Sequence, residues 1–288
     1  MTGKFEWPAS ILSAMGILFV QVILLSSGSS VRAQEASVGE TSINHAYSVF
    51  TGTGKYRVSD RTIYVLRLPF RFRAKKADYS RRKPGVRLIL PVAVGVTYFD
   101  DVFEIPGVMD DDLQTLTAVP GAELELPLTS NWRLSPFAQA GLGLDLKSSN
   151  NSLVWGAGSR TRAWFGEGKK WLVGGEALVA GNHPLGEGDA TRFGRWSLGA
   201  EYKWQTDWEP FGRRVSWHAR LIQYYYSDVL ELQSPLVTIP VNAATEVGAS
   251  FGIDPPLNIF GYKFRQGGVA YEYSGNFKAI KLITRFPF

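Results

Sequence analysis

Three histidines, His45, His183 and His218, are the natural starting points for acid–base chemistry at neutral pH. His218 stands two residues after Ser216, so on a strand the two would share a face, as a nucleophile and its general base require. Arg214 and Arg220 lie on that same face, away from any apolar acyl substrate, and the pair therefore reads as polar lining. His183 precedes Pro184 in a glycine-rich stretch and reads as a loop residue. A cluster formed by Asp100, Asp101, Glu104, Asp110, Asp111 and Asp112 offers oxygen ligands of the kind calcium or magnesium takes. Its spacing does not match a helix–loop–helix calcium loop, which leaves a solvated acidic loop. "GTGK" at 52–55 lacks the spacing of a phosphate-cradling loop. With no cysteine in the chain, thiolate catalysis, disulfides and cysteine-based zinc sites are excluded. The sequence predicts no enzyme, no cofactor and no metal site.

The charged residues become informative once the elements carrying them are considered. In "TIYVLRLPFRFR" the even positions are Tyr64, Leu66, Leu68, Phe70 and Phe72, with Arg67, Arg71 and Arg73 on the other face. "GVRLILPVAVGVTYF" alternates in the same way and places Arg87 opposite its valines and leucines. "AVPGAELELPL" sets leucines against Glu123 and Glu125, and "RLSPFAQAGLGLDL" sets them against Arg133 and Asp145. "RWSLGAEYKW" opposes Trp196, Leu198 and Tyr202 to Arg195, Glu201 and Lys203, while "RVSWHARL" opposes Val215 and Trp217 to Arg214 and Arg220. Segments near 44–58, 152–165, 171–181, 244–253 and 260–273 alternate more weakly. A period of two is the mark of a strand with two unlike faces. With the final segment, about twelve strands are predicted. Several runs are twice the ~5–6 residues usual in soluble sheets, long enough to cross a bilayer obliquely.

The N-terminus supplies the compartment. Lys4 precedes an apolar run from Ile11 to Leu25, then small residues and Val31-Arg32-Ala33, the layout of a cleaved secretory signal. The chain is thus divided into a signal peptide, 1–33, and a single domain, 34–288. The net charge of +5 is spread along the chain without a basic stripe, so no nucleic-acid partner is expected. Trp155, Trp164, Trp171, Trp196, Trp204, Trp208 and Trp217 are candidates for interfacial girdles. Short links at 129–131, 166–170 and 254–258 alternate with longer ones at 100–112, 181–191 and 227–243; the long basic link at 74–85 breaks that order. These features predict an all-β fold: one antiparallel up-and-down transmembrane barrel, with Arg67, Arg71, Arg73, Arg87, Glu123, Glu125, Asp145, Glu201, Lys203, Arg214 and Arg220 lining the lumen. A soluble β-sandwich would put the same alternation to the opposite use, with the apolar face as core.

The ending "IKLITRFPF" completes the pattern, with Ile280, Leu282, Phe286 and Phe288 on one face, expected to meet lipid. Signal segment, alternating strands and aromatic ending together resemble the outer-membrane β-barrel proteins of Gram-negative bacteria. In size the chain looks like a twelve-stranded autotransporter-type barrel without a passenger. The resemblance implies that Ile280, Leu282, Phe286 and Phe288 form a signal for the barrel-assembly machinery, and that outer-membrane lipid and lipopolysaccharide surround the protein. Three functions remain open at this level: a narrow porin-like conduit with an Arg/Glu-lined lumen, a closed structural or surface-interaction barrel, or a lipid-modifying enzyme using Ser216 and His218. Oligomeric state is not encoded in any of these features.

Overall fold

The computed structural model describes residues 45–58, 61–99, 113–146, 151–186, 190–227, 232–233, 238–239, 242–259, 262–275 and 277–288. The chain divides into two compact units, Met1–Glu40 and Thr41–Phe288. The first unit lies outside the described residues, and with it the signal-peptide reading; the acidic stretch 100–112 does so too.

The second unit begins with a six-residue helix, α1 (His45–Phe50), followed by β1 (Gly54–Val58), β2 (Arg61–Lys75), β3 (Gly85–Phe99), β4 (Leu113–Ala118), β5 (Gly121–Pro127) and β6 (Trp132–Asp145). It continues through β7 (Ser152–Phe165), β8 (Trp171–Pro184), β9 (Thr191–Gln205), β10 (Arg214–Tyr226), a small hairpin of β11 (Leu232–Gln233) and β12 (Thr238–Ile239), then β13 (Ala243–Ile259), β14 (Tyr262–Ser274) and β15 (Phe277–Ile283). Every neighbouring pair of wall strands is antiparallel. β4 and β5 are successive halves of one strand, interrupted at Val119–Pro120, and both pair with β3 and β6. Pro120 has no N–H to give the ladder there. The first and last strands pair with each other, from Gly54 opposite Lys281 to Val58 opposite Phe277. The sheet therefore closes on itself as a twelve-stranded barrel.

Alternation along the cleanly patterned strands sorts side chains between two faces. On β2, Leu66, Leu68, Phe70 and Phe72 are exposed while Val65 is buried, with Arg67 and Arg71 on the same side as Val65. Leu88, Leu124, Leu142, Leu153, Leu198, Leu221, Val247, Val269, Ile280 and Leu282 continue an exposed apolar surface around the wall. Aromatic rings gather toward both ends of it. Trp171 meets Tyr202 at 4.6 Å, Tyr202 meets Trp204 at 4.6 Å, and Trp217 meets Phe251 at 6.4 Å; at the other end Tyr271 stacks on Tyr273 at 6.0 Å. Trp217 and Tyr225 bracket β10, roughly 26 Å apart along an extended chain rising ~3.3 Å per residue. With a tilt of ~35–45° that span projects to ~19–22 Å, most of an apolar band ~25 Å tall.

Three local expectations are corrected. Residues 44–58 are read as one strand from sequence, but His45–Phe50 is helical. Ala46, Val49 and Phe50 also fit the three-and-four spacing of a helix, and burial of that stripe decides between the two periods. The supposed link at 254–258 lies inside β13, which pairs with β14 as far as Ile259 opposite Tyr262. The third correction concerns Phe286 and Phe288. β15 stops pairing at Ile283, opposite Gly268, and the chain beyond it folds into the barrel. Both rings are buried, where sequence alternation points them outward to lipid.

Candidate functional site: the barrel interior

Gly174 on β8 explains where the two phenylalanines go. A side chain there would stand 2.9 Å from Phe286 and 3.3 Å from Phe288, so the missing side chain forms their seat. The rings pack edge to face, 5.3 Å between centroids, and Arg162 Nη2 donates to the Phe286 carbonyl at 2.8 Å. Pro287 offers no N–H to continue the β14–β15 ladder, which favours leaving the sheet. Ile280 and Leu282, by contrast, stay on the exposed face.

α1 occupies the same interior. Ala46 and Val49 are fully buried, and the Phe50 ring lies over Gly156 of β7, whose backbone leaves no room for a side chain beneath it. Arg195 Nη1 donates to the Phe50 carbonyl at 3.0 Å, capping the helix from the wall. A cation near a helix C-terminus satisfies a carbonyl that has no partner within the helix.

Around these two inserts the buried charges form three connected groups. The longest alternates in sign. Arg133 Nη1 is 3.1 Å from Glu125, Arg87 bridges Glu125 and Glu123, and Arg160 reaches Glu123 at 2.9 Å and Glu176 at 2.6 Å. Arg195 closes the series on Glu176 at 2.6 Å. Each carboxylate is thus held by two guanidinium groups. In the second group Lys281 Nζ lies 2.6 Å from both Glu246 and Glu272, Arg220 lies 2.6 Å from Glu246, and the Tyr224 hydroxyl donates to Glu246 at 3.1 Å. Burying unpaired ions costs several kcal/mol each, so this pairing is what lets such residues occupy the interior.

The third group contains the candidate nucleophile. Ser216 Oγ lies 3.0 Å from His218 Nε2, and His218 Nδ1 lies 2.9 Å from Glu201. Gln266 donates to Glu201 at 3.2 Å and to Ser250 at 2.8 Å. The spacing is that of a nucleophile, base and orienting carboxylate. Ser216 and His218 both lean over Gly252 of β13, where an added side chain would stand 2.7 and 2.8 Å from them. They fill the inward gap left by that glycine.

No protein-family model and no curated protein matches the sequence. Among solved structures, the chain is similar to the β domain of the Bordetella autotransporter BrkA. The two share 13% identity and a TM-score of 0.48, over 82% of this chain and 96% of the other.

Of the charges proposed from sequence for the lumen, Arg87, Glu123, Glu125, Glu201 and Arg220 enter these groups, and Asp145 is buried as well. Arg67 and Arg71 face the interior outside any ion pair among the described residues, and Lys203 is half-buried opposite His218. Arg73 is exposed, and so is Arg214, which pairs with Glu209 at 3.2 Å in the neighbouring turn. Sequence reasoning missed Arg160, Glu176, Glu246, Glu272 and Lys281. Arg160 and Glu176 are direct cross-strand partners of β7 and β8, a register that neither strand reveals by itself.

Proposed function

We propose that this chain is an integral outer-membrane β-barrel whose bore is occluded, acting as a closed structural or surface-interaction barrel and not as a conduit. The observation that carries the reading is α1 inside the barrel, with Phe50 seated on Gly156 and tied to Arg195. The inturned segment Thr284–Phe288 and the two-way ion pairs occupy further interior space, and a barrel this small has little bore to spare. The exposed apolar wall between aromatic rows supports a lipid environment. Cleavage of residues 1–33 would deliver the chain to the periplasm, where the barrel-assembly machinery would receive it.

Catalysis is not part of this proposal. Ser216 faces the interior, away from lipid, and its hydroxyl already fills the space above Gly252. The expected result is that the refolded protein hydrolyses no phospholipid and Ser216→Ala changes nothing; turnover abolished by Ser216→Ala would reinstate the enzyme reading. Fractionation tests the location: the protein is expected in outer membranes with heat-modifiable gel mobility, and recovery as a soluble periplasmic protein would overturn it. Liposome swelling tests occlusion: vesicles carrying the protein should swell no faster in small sugars than empty ones, and rapid swelling would favour a conduit.

A further inference from the structure

A cavity of about 350 Å³ lies inside the wall, between the middle of β2 and the segment Thr284–Phe288. Among the described residues its lining carries seven cationic side chains and two carboxylates, Glu176 and Glu246. Both carboxylates are already committed: Glu176 to Arg160 and Arg195, Glu246 to Arg220 and Lys281. Arg67 and Arg71 enter no ion pair among the described residues, although both line the cavity. The Nε–H groups of Arg67, Arg195 and Arg220 are buried without an acceptor. An uncompensated buried cation is expensive, as is a buried donor with no partner.

We propose that this cavity is a binding site for a small doubly charged oxyanion of the phosphate type, held by Arg67 and Arg71 with further N–H groups from Arg195 and Arg220. Planar guanidinium forks match the tetrahedral array of phosphate oxygens, and two negative charges offset the excess of cations around Arg67 and Arg71. The volume falls at the lower end of the ~300–1,000 Å³ typical of ligand sites, which suits a small ion with some water. The same chemistry could come from a lipid headgroup or from a free anion. Arg67 and Arg71 sit near the middle of the Arg61–Lys75 strand, so a headgroup would have to be drawn toward the bilayer centre. The free anion is the source consistent with that depth. The site does not depend on whether the barrel conducts.

The test uses the full chain refolded in detergent, titrated with inorganic phosphate against sodium chloride at matched ionic strength. Phosphate is expected to raise the unfolding temperature of the wild type and to give a saturable calorimetric isotherm. Arg67→Gln and Arg71→Gln should each weaken that binding at least tenfold. In phosphate-free buffer both variants should unfold at higher temperature than the wild type, because one cation has been taken from a lining crowded with them. A purely structural arginine would shift the unfolding temperature downward. Absence of a phosphate-specific shift in the wild type would overturn the site, as would undiminished phosphate binding in both variants. Nanodiscs containing phosphatidic acid form a second arm: stabilisation that requires the anionic lipid and is not produced by free phosphate would overturn the assignment to a free ion.

Discussion

Glu176→Gln is the substitution that most sharply probes how the interior is held together. Glu176 is buried, and its two oxygens each lie 2.6 Å from a guanidinium group, Arg160 on one side and Arg195 on the other. Glutamine has nearly the same shape, so no cavity opens and steric effects stay small. Breaking a buried pair costs ~3–5 kcal/mol, and the amide oxygen still accepts one hydrogen bond worth ~1 kcal/mol, which leaves roughly 2–4 kcal/mol of destabilisation. At ~1.4 kcal/mol per decade, that multiplies the unfolding equilibrium by roughly 30 to 700. Urea titration of protein folded into lipid vesicles, followed by tryptophan fluorescence, measures it directly. A second signature belongs to the geometry alone. Arg195 also caps α1 through the Phe50 carbonyl, so amide exchange in His45–Phe50 should speed up in the variant. A double-mutant cycle with Arg195→Gln should show that the second substitution costs less once the first is present. An unfolding free energy within ~0.5 kcal/mol of wild type would refute the reasoning, since surface substitutions do no more than that.

Phe286→Ala and Phe288→Ala should each cost ~3–5 kcal/mol of barrel stability, the range for emptying a buried phenylalanine site; a negligible cost would mean the rings point outward after all. Leu68→Arg on the exposed face should cost ~2–4 kcal/mol when the protein folds into a bilayer. Unchanged stability in vesicles would place that face in water. Outside the wall, Asp78 accepts hydrogen bonds from the Ser80 hydroxyl and from the backbone N–H groups of Ser80 and Arg81, and these hold its carboxyl below the ordinary carboxylate range. Because the shift is downward, the contribution of this turn is present above the unfolded pKa and lost as pH falls through the folded one. Amide protection at Ser80 and Arg81 should therefore vanish on acidification; protection that persists below that range would contradict the hydrogen-bond geometry.

The wall was legible because strands of this length repeat a period of two in their side chains, and Leu66, Leu68, Phe70 and Phe72 fix the outward face of β2 without any knowledge of its neighbours. Closure also follows, since twelve long alternating segments leave an antiparallel sheet no better way to hide its edges than to join first to last. What fills the barrel was not legible. His45–Phe50 satisfies both helical and strand periods, and only the wall residues around it, Gly156 and Arg195, select the helix. Phe286 and Phe288 keep the alternation of β15, yet their placement is set by Gly174, far away in sequence. The ion pairs were half visible. Charges on cleanly alternating strands, such as Glu123 and Arg87, could be assigned to a face, whereas Arg160, Glu176, Glu246 and Lys281 lie where register, and not pattern, decides who meets whom. Ser216 and His218 were correctly placed on one face, but the third member, Glu201, enters through the pairing of β9 with β10.

Single-channel recording in planar bilayers tests occlusion by α1 most directly, comparing the refolded barrel with a variant carrying Ala46→Gly, Val49→Gly and Phe50→Gly. The wild type is expected to show no conductance steps, while the variant, its helix unseated from Gly156 and Arg195, should open discrete ones. Steady conductance of the wild type, equal to that of the variant, would contradict a bore closed by that helix.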